Sequence, residues 1–353
     1  MSFNYQYYGS YFGEHQKKDG GRFGLNNSSF TTSLYTFTDA YFTVARALTN
    51  SYSSTDHMYG PTQTQVLNWM TGSSNGSSNY TWADVYVDVP TQGYQRWTVP
   101  KTGTYRIKAR GAHAGYTDSP YDYMRGVTVQ ADFDLSASDK LLIAVGQGVP
   151  NYSGEHCNGG AGASWVALGD TIATALMLLV GNGAGGDTSD GSTKGQPNTT
   201  LNTSVSSVGG VTGLQTTPIN STASIGYGGN SGAYPNSGGY LGDGTVTTSA
   251  NTSHGGGFRG TKALVGGTRS NSTAGYGGFG GGSGGYDEYG SAGGGFTGAH
   301  GQDNTTVTGH GSSFIRNTGA NQSCTLNAST TTWQATDYTS TDQYQGWVHV
   351  ELL

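Results

Sequence analysis

Charge is the scarcest commodity in this chain. Asp, Glu, Lys and Arg make up 11% of its 353 residues, against roughly 25% in ordinary globular proteins. The 16 Lys and Arg form no basic cluster, which argues against a nucleic-acid partner, since phosphate binding needs concentrated cations. Apolar residues are also few, at 33%, and the longest apolar run, 175–180, is far shorter than the roughly 20 residues a membrane-spanning helix needs. Only two cysteines occur, Cys157 and Cys324, and neither sits in a CxxC motif. That excludes a disulfide framework and leaves either one long-range bridge or two free thiols. The first eight residues, Met1 to Tyr8, have no basic segment and no apolar segment, so no export signal is expected. No long amphipathic helical pattern appears anywhere. The net charge of −6 is too small for ordinary charge-driven disorder.

Glycine and aromatics are what the chain has instead. Between Gly226 and Gly311, 30 of 86 positions are glycine, in bursts such as 255–257, 280–285 and 293–295. Tyr227, Tyr240, Phe258, Tyr276, Phe279, Tyr286, Tyr289 and Phe296 punctuate the bursts. Two states are open to such a stretch. One is a flexible linker, because glycine loses the most conformational freedom on ordering. The other is a bundle of extended threefold helices packed so closely that only glycine fits. A solubilising linker has no use for bulky apolar anchors, so the aromatics favour order.

The remainder reads as all-β. Period-two alternation or short apolar runs mark strands at 82–89, 93–99, 105–109, 127–135, 140–145, 164–168, 175–180, 312–315 and 346–352, separated by turn residues. Strands of this length and spacing indicate a sandwich or jelly roll. The last strand is expected to join a sheet begun near residue 90. Residues 1–60 read as an N-terminal docking arm, with loose alternation from Thr32 and a short helix over 40–48. Residues 61–353 read as one glycine-rich domain: a frame at 80–182 and 311–353, with an insertion at 183–310. Within the insertion, 187–222 reads as a loop.

Several motifs tempt towards chemistry. The strand at 175–180 runs into Gly181-Asn-Gly183-Ala-Gly185-Gly186, a dinucleotide-like fingerprint, but the polar run after it cannot supply the helix whose N-terminus holds a pyrophosphate. The eight histidines are scattered and form no metal motif. His156 beside Cys157 is the one metal-like pair, and nothing in the sequence positions a base for a Cys157 nucleophile. Asp132 and Asp134 flank Phe133 on a strand and share a face, as either an acid–base pair or solvent-facing residues. Asp187 and Asp190 lack the ligand series of a calcium loop. No cofactor, metal or catalytic residue is therefore assigned. Tyr227, Tyr240, Tyr286 and Tyr289 are the candidate binding residues, by stacking on sugar rings; packing between glycine segments is the other reading. Asn-x-Ser/Thr sequons, among them Asn26, Asn79, Asn220, Asn271 and Asn327, follow from the Asn, Ser and Thr content itself.

The order of pieces is more specific than any one of them. Gly60-Pro-Thr-Gln-Thr-Gln65 precedes Gly93-Tyr-Gln-Arg-Trp-Thr-Val-Pro-Lys-Thr-Gly-Thr-Tyr-Arg-Ile107. Gly111-Ala-His-Ala-Gly115, 126–135, Leu141-Leu-Ile-Ala-Val-Gly-Gln147 and Gly159-Gly-Ala-Gly-Ala-Ser-Trp-Val166 follow. Leu178-Leu-Val-Gly-Asn-Gly-Ala-Gly-Gly186, Gly278-Phe-Gly-Gly-Gly-Ser-Gly-Gly285, Ser312-Ser-Phe-Ile315 and Gly346-Trp-Val-His-Val350 close the series. Over about residues 60–353 this resembles the glycine-rich extracellular region of the anaplastic lymphoma kinase and leukocyte tyrosine kinase receptors. The resemblance implies a tumour-necrosis-factor-like half jelly roll with an inserted bundle of polyglycine II helices. In the receptors the region binds cytokines; their cysteine pairs are missing here and no ligand-contact residue can be carried over. Similar modules occur in tail-fibre adhesins of tailed phages, where variable loops touch the host. The expected function is a non-enzymatic virion component, a tail-fibre or appendage protein, with other virion proteins and a host-surface glycan or protein as partners. A homo-oligomer, by resemblance a trimer, is expected on the virion. A secreted, glycosylated filament or matrix subunit is the alternative, and a polysaccharide hydrolase a third.

Overall fold

Alternation of apolar and polar residues becomes two antiparallel sheets. The computed structural model describes residues 33–45, 48, 54–72, 79–114, 124–149, 158–186, 197–231, 234–245, 253–270, 272, 274–286, 289–301, 309–327 and 345–353. They fall in one unit, 32–353, and most of the expected N-terminal arm, 1–31, lies outside the described residues. The strands are β1 Asp39–Phe42, β2 Val87–Thr91, β3 Tyr94–Thr98, β4 Gly103–Arg110, β5 Val127–Leu135, β6 Lys140–Ala144, β7 Ser164–Leu168, β8 Leu176–Gly181, β9 Thr203–Val208, β10 Val211–Gln215, β11 Phe314–Arg316, β12 Ala320–Leu326 and β13 Trp347–Leu352. A five-stranded sheet runs β1-β13-β4-β5-β12, and an eight-stranded sheet runs β2-β3-β6-β7-β8-β11-β10-β9. The C-terminal strand does not join the sheet begun near residue 90: it pairs with β4 in the five-stranded sheet, and residues 39–42 extend that sheet beyond it.

The layers follow from the side-chain period of two. On the eight-stranded sheet, Leu141, Ile143, Val166 and Ile315 point into a core shared with Ile107, Ala109, Val127 and Val129 of the other sheet. Their neighbours Leu142, Ala144, Trp165, Ala167 and Phe314 point to the opposite face, into a second core with Tyr240, Phe258, Leu264, Phe279 and Phe296. Strands buried on both faces need continuous apolar sequence, and that is why 140–145 and 175–180 read as runs rather than alternations. The five-stranded sheet keeps a polar outer face, where Arg106 lies directly opposite Asp132 and Thr104 opposite Asp134.

Several stretches differ from expectation. Residues 82–89 begin with a helical turn, α2 Ala83–Tyr86, before β2. The turn brings Trp82 and Tyr86, four apart, to one side, where both stack on Tyr35 at centroid distances of 4.9 and 4.3 Å. The helix expected over 40–48 is replaced at its start by β1. The loop at 187–222 contains the β9–β10 hairpin, turned by Gly209 and Gly210 at φ +58° and +84°, the left-handed geometry of a two-residue hairpin turn. Helix α1, Gln63–Met70, opens on a capping box in which Thr62 and Gln65 bond each other's backbone, a signal present in the sequence.

The glycine-rich segments form an ordered layer against the second core. Successive N–H groups leave in different directions: Gly160 donates to Ser283, Ala161 to Ala184, Gly162 to Gln147, and Ala163 back towards Gly280, at 2.8, 2.8, 3.0 and 2.9 Å. The same three-residue return links Ser237 to Ala299 and Tyr240 to Phe296, with Gly238 donating to Gly281 between them. Gly183 to Gly294 and Gly186 to Ser291 repeat it. Segments lie so close that a Cβ on Gly162 would sit 1.6 Å from the Phe279 carbonyl oxygen, and one on Gly301 would sit 1.8 Å from that of Gly290. The aromatics fasten this layer to the sheet. Phe296 stacks on Phe314 at 4.1 Å, Tyr240 stacks on Phe296 at 5.4 Å, and the Tyr94 hydroxyl donates to Phe258 O at 2.9 Å.

Gly162→Ala should therefore lower the unfolding free energy by about 3 kcal/mol or more, because backbone rather than a movable side chain blocks the methyl group. Gly242→Ala, whose Cβ would meet only Tyr227 Cδ1 at 3.9 Å, should change it by less than about 0.5 kcal/mol. Denaturant titration of the two variants checks this; equal losses would contradict it.

Candidate functional site

The acid–base candidates are spent on structure. Asp132 is buried and receives a two-pronged bond from Arg106 (Nε to Oδ1 2.9 Å, Nη2 to Oδ2 3.0 Å) and a third from Asn321 at 2.7 Å. These hydrogen bonds, the arginine's first, hold its carboxyl below the usual range. Asp134 accepts from Thr104 Oγ1 at 2.6 Å. Cross-strand pairing on a solvated face accounts for both. The dinucleotide-like glycines are equally committed: Gly183, Ala184, Gly185 and Gly186 donate to Gly294 O, Ala112 O, His310 Nδ1 and Ser291 O. No N–H group of that run is left to cradle a phosphate. Among the described residues no three His, Cys, Asp or Glu side chains are placed to hold a metal ion. His15, His156, Cys157, Asp187 and Asp190 lie outside the described residues. Cys324 carries a free thiol that burial pushes up to about 12, the opposite of an activated nucleophile.

One buried polar cluster sits where β4 ends. Arg110 and His113 are 2% and 3% exposed, and Arg110 Nη2 donates to His113 Nε2 at 2.8 Å. Burial lowers the Arg110 pKa to about 9 and pushes His113 far below its normal value, with the positive charges of Arg110 and Arg125 adding to the effect. A neutral imidazole accepts the arginine's hydrogen bond; an imidazolium could not.

The four tyrosines divide. Tyr240 is fully buried, packed on Phe296, with its hydroxyl donating to Ala175 O at 3.1 Å and Arg259 over its ring at 4.6 Å. It is a core residue and not a surface contact, contrary to the expectation for it; the alternation of glycine and aromatic alone does not say which ring faces the sheet. Tyr286 and Tyr289 are half-buried, stacked on each other at 5.9 Å, and Tyr234 meets Tyr289 edge-on at 5.1 Å. His300 lies parallel to Tyr234 at 6.3 Å. Tyr227 is the exposed one, at 52%. It borders a cavity of about 280 Å³ lined also by Thr222, Ala223, Ser224, Gly228, Asn230, Asp243 and Thr245. Tyr234, His300 and the cavity's Ser224 and Asn230 were not singled out in the sequence, and their residue types carry no motif that would have marked them. Asp243 does not face the cavity as a free acid. Its oxygens accept from Gly257 N at 2.7 Å and from Thr261 N and Oγ1 at 3.0 and 2.6 Å. Among the described residues, these surfaces are aromatic and hydroxyl-bearing.

No family model matches the chain. Over 114 residues it is 35% identical to the mouse (Mus musculus) leukocyte tyrosine kinase receptor, a match that covers 32% of this chain and 12% of the receptor. The match supports a loose link to that receptor and no more. Neither the HRD nor the DFG triplet of a kinase site occurs in the sequence. Among the described residues no helix is long and apolar enough to cross a membrane.

Two outcomes test these assignments. Tyr240→Ala should cost about 3–5 kcal/mol of stability, whereas Tyr227→Ala should cost less than about 0.5 kcal/mol; urea unfolding of each decides, and similar losses would contradict the division. His113 binds a proton more weakly folded than unfolded, so its contribution is complete above its unfolded pKa of about 6.5 and is lost as pH falls below it, at up to about 1.4 kcal/mol per pH unit. His254 and His349, also lowered by burial, act in the same direction. Stability measured from pH 7 to 5 should therefore fall less steeply in His113→Gln, and an unchanged slope would remove His113 from the account.

Proposed function

We propose that this chain is a non-enzymatic structural and binding protein of a virion, a tail-fibre or appendage component. In this reading its sandwich is a tumour-necrosis-factor-like half jelly roll, and its glycine layer is an inserted bundle of polyglycine II helices. The observation that carries the reading is the three-residue return of the hydrogen bonds, as between Gly160–Ser283 and Ala163–Gly280. A threefold extended helix sends successive peptide groups in three directions. Such a bundle is stiff without hydrophobic bulk, which suits a fibre that must present loops rigidly. The Tyr, Ser, Thr and Asn residues at its surface give adaptable contacts to a host glycan or protein. Assembly as a homo-oligomer, a trimer by analogy with jelly rolls of this type, belongs to the same proposal.

A secreted extracellular filament or matrix subunit is the second reading, and the partial likeness to the receptor favours it. Its glycosylation is limited at one place. Asn327 is 5% exposed; its Nδ2 donates to Gly111 O and its Oδ1 accepts from Thr128, so a glycan there is incompatible with this packing.

Native material separates the two. Density-gradient fractions from the source culture, examined by immunogold electron microscopy and intact-mass spectrometry, should show label on particle appendages and the mass of an unmodified polypeptide. Label confined to a particle-free fraction, with hexose-spaced mass heterogeneity, would overturn the virion reading in favour of secretion.

A further inference from the structure

We propose that the cavity beside Tyr227 binds a single neutral pyranose ring. The inference rests on the reading of the chain as a surface-binding protein and names the ligand class of that surface.

Size comes first. At about 280 Å³ the cavity falls below the roughly 300–1,000 Å³ of sites for drug-sized molecules, so it holds one ring and leaves the rest of a glycan in solvent. Shape and polarity come next. Tyr227 offers an exposed aromatic ring, apolar on its face and polar at its tip, which matches the C–H face of a pyranose. Ala223 is the other apolar side chain in the lining, too little for a wholly apolar ligand.

Hydrogen-bonding capacity is on hand. The Ser224 hydroxyl, the Tyr227 hydroxyl and the Asn230 amide are exposed and make no hydrogen bond to another described residue. Together they donate and accept, as sugar hydroxyls do. The other polar lining groups are already used. Thr222 Oγ1 donates to Asn230 O, and Thr245 Oγ1 to Gly229 O.

Charge selects among sugars. Asp243 is the one charged residue of the lining, and its oxygens hold the 257–262 backbone. Among the described residues no cation lines the cavity to pair with a carboxylate or phosphate, and the Asp243 carboxylate stands at its wall. Uronic acids, sialic acids and phosphosugars are disfavoured on that ground.

The walls are fixed in advance. Tyr227 N donates to Ser224 O at 3.0 Å, Gly298 N to Tyr227 O at 2.9 Å, Leu241 N to Gly226 O at 2.7 Å and Thr245 N to Gly229 O at 2.9 Å. Gly228 lets the two walls meet, since a Cβ there would lie 2.2 Å from Asp243 O. Little ordering cost remains at binding.

Saturation-transfer NMR on the full chain tests this, with the methyl glycosides of glucose, galactose, mannose and N-acetylglucosamine, and with glucuronic and N-acetylneuraminic acids. At least one neutral glycoside should bind with Kd on the order of millimolar, and the acids should not. Tyr227→Ala should weaken binding about tenfold or more, and Ser224→Ala and Asn230→Ala about threefold each, with unchanged melting temperatures. If Tyr227→Ala does not fold, the other two variants decide. Binding by none of the neutral sugars, binding by the acids alone, or binding indifferent to all three variants would overturn the proposal. Host-cell binding by the same preparations separates this from the wider reading. Cell binding without sugar binding overturns the pyranose site alone, and sugar binding without cell or particle association overturns the virion reading alone.

Discussion

Backbone touching backbone is the contact on which this structure depends. In the glycine layer, carbonyl oxygens sit where a side chain's first carbon would be, at Gly159 beside Tyr276 O, at Gly162 beside Phe279 O and at Gly301 beside Gly290 O. Such packing removes peptide groups from water, and every one of them must then find a partner. They find partners in each other, across long sequence separations: Gly183 with Gly294, Gly238 with Gly281, Gly278 with Gly160. The hydrogen bonds are the reason the layer coheres. The absence of side chains is the reason they can form at this distance.

A layer of that kind has little hydrophobic surface of its own, so it borrows a core. The eight-stranded sheet serves two cores at once, one through Leu141, Ile143 and Val166, the other through Leu142, Ala144 and Trp165. Into the second the glycine segments insert Tyr240, Phe258, Phe279 and Phe296. Apolar anchoring fixes where the layer sits, while the backbone network fixes its internal geometry. The low charge content fits the same logic, because a layer of closely packed peptides has few places for a charged side chain. The buried charge of Asp132 is matched by Arg106.

Much of this was legible in the residues. The strands at 127–135 and 164–168 appear where alternation and apolar runs placed them, because burial on one or both faces writes itself into hydrophobic period. Tyr240, Phe258, Phe279 and Phe296, which sit between the glycine bursts, are residues of the second core. What hydrophobic period does not mark is structure stabilised by other means. α1 rests on a capping box, α2 on rings stacked over Tyr35, and β9–β10 on a Gly209-Gly210 turn inside a Ser/Thr-rich stretch. β12 has an almost wholly exposed or half-exposed pattern, so no apolar face announced it. The candidate site was not resolved by the sequence: of the candidate tyrosines, Tyr240 faces the sheet and Tyr227 faces solvent, a difference set by three-dimensional packing that neighbouring glycines do not encode. At Gly281 a Cβ would meet Gly256 O at 3.0 Å, and a φ of +94° adds a conformational constraint of its own.

The central claim is that the glycine layer is as ordered as the sheets beneath it. Residue-resolved hydrogen exchange on the intact chain tests it most directly. The amides of Gly160, Ala161, Gly162, Gly183, Gly238 and Gly294, all bonded to distant carbonyls, should exchange as slowly as those of β6 and β7, since both open only with the body as a whole. Exchange of these six at the rate of unprotected peptides, with the sheet still protected, would contradict the account.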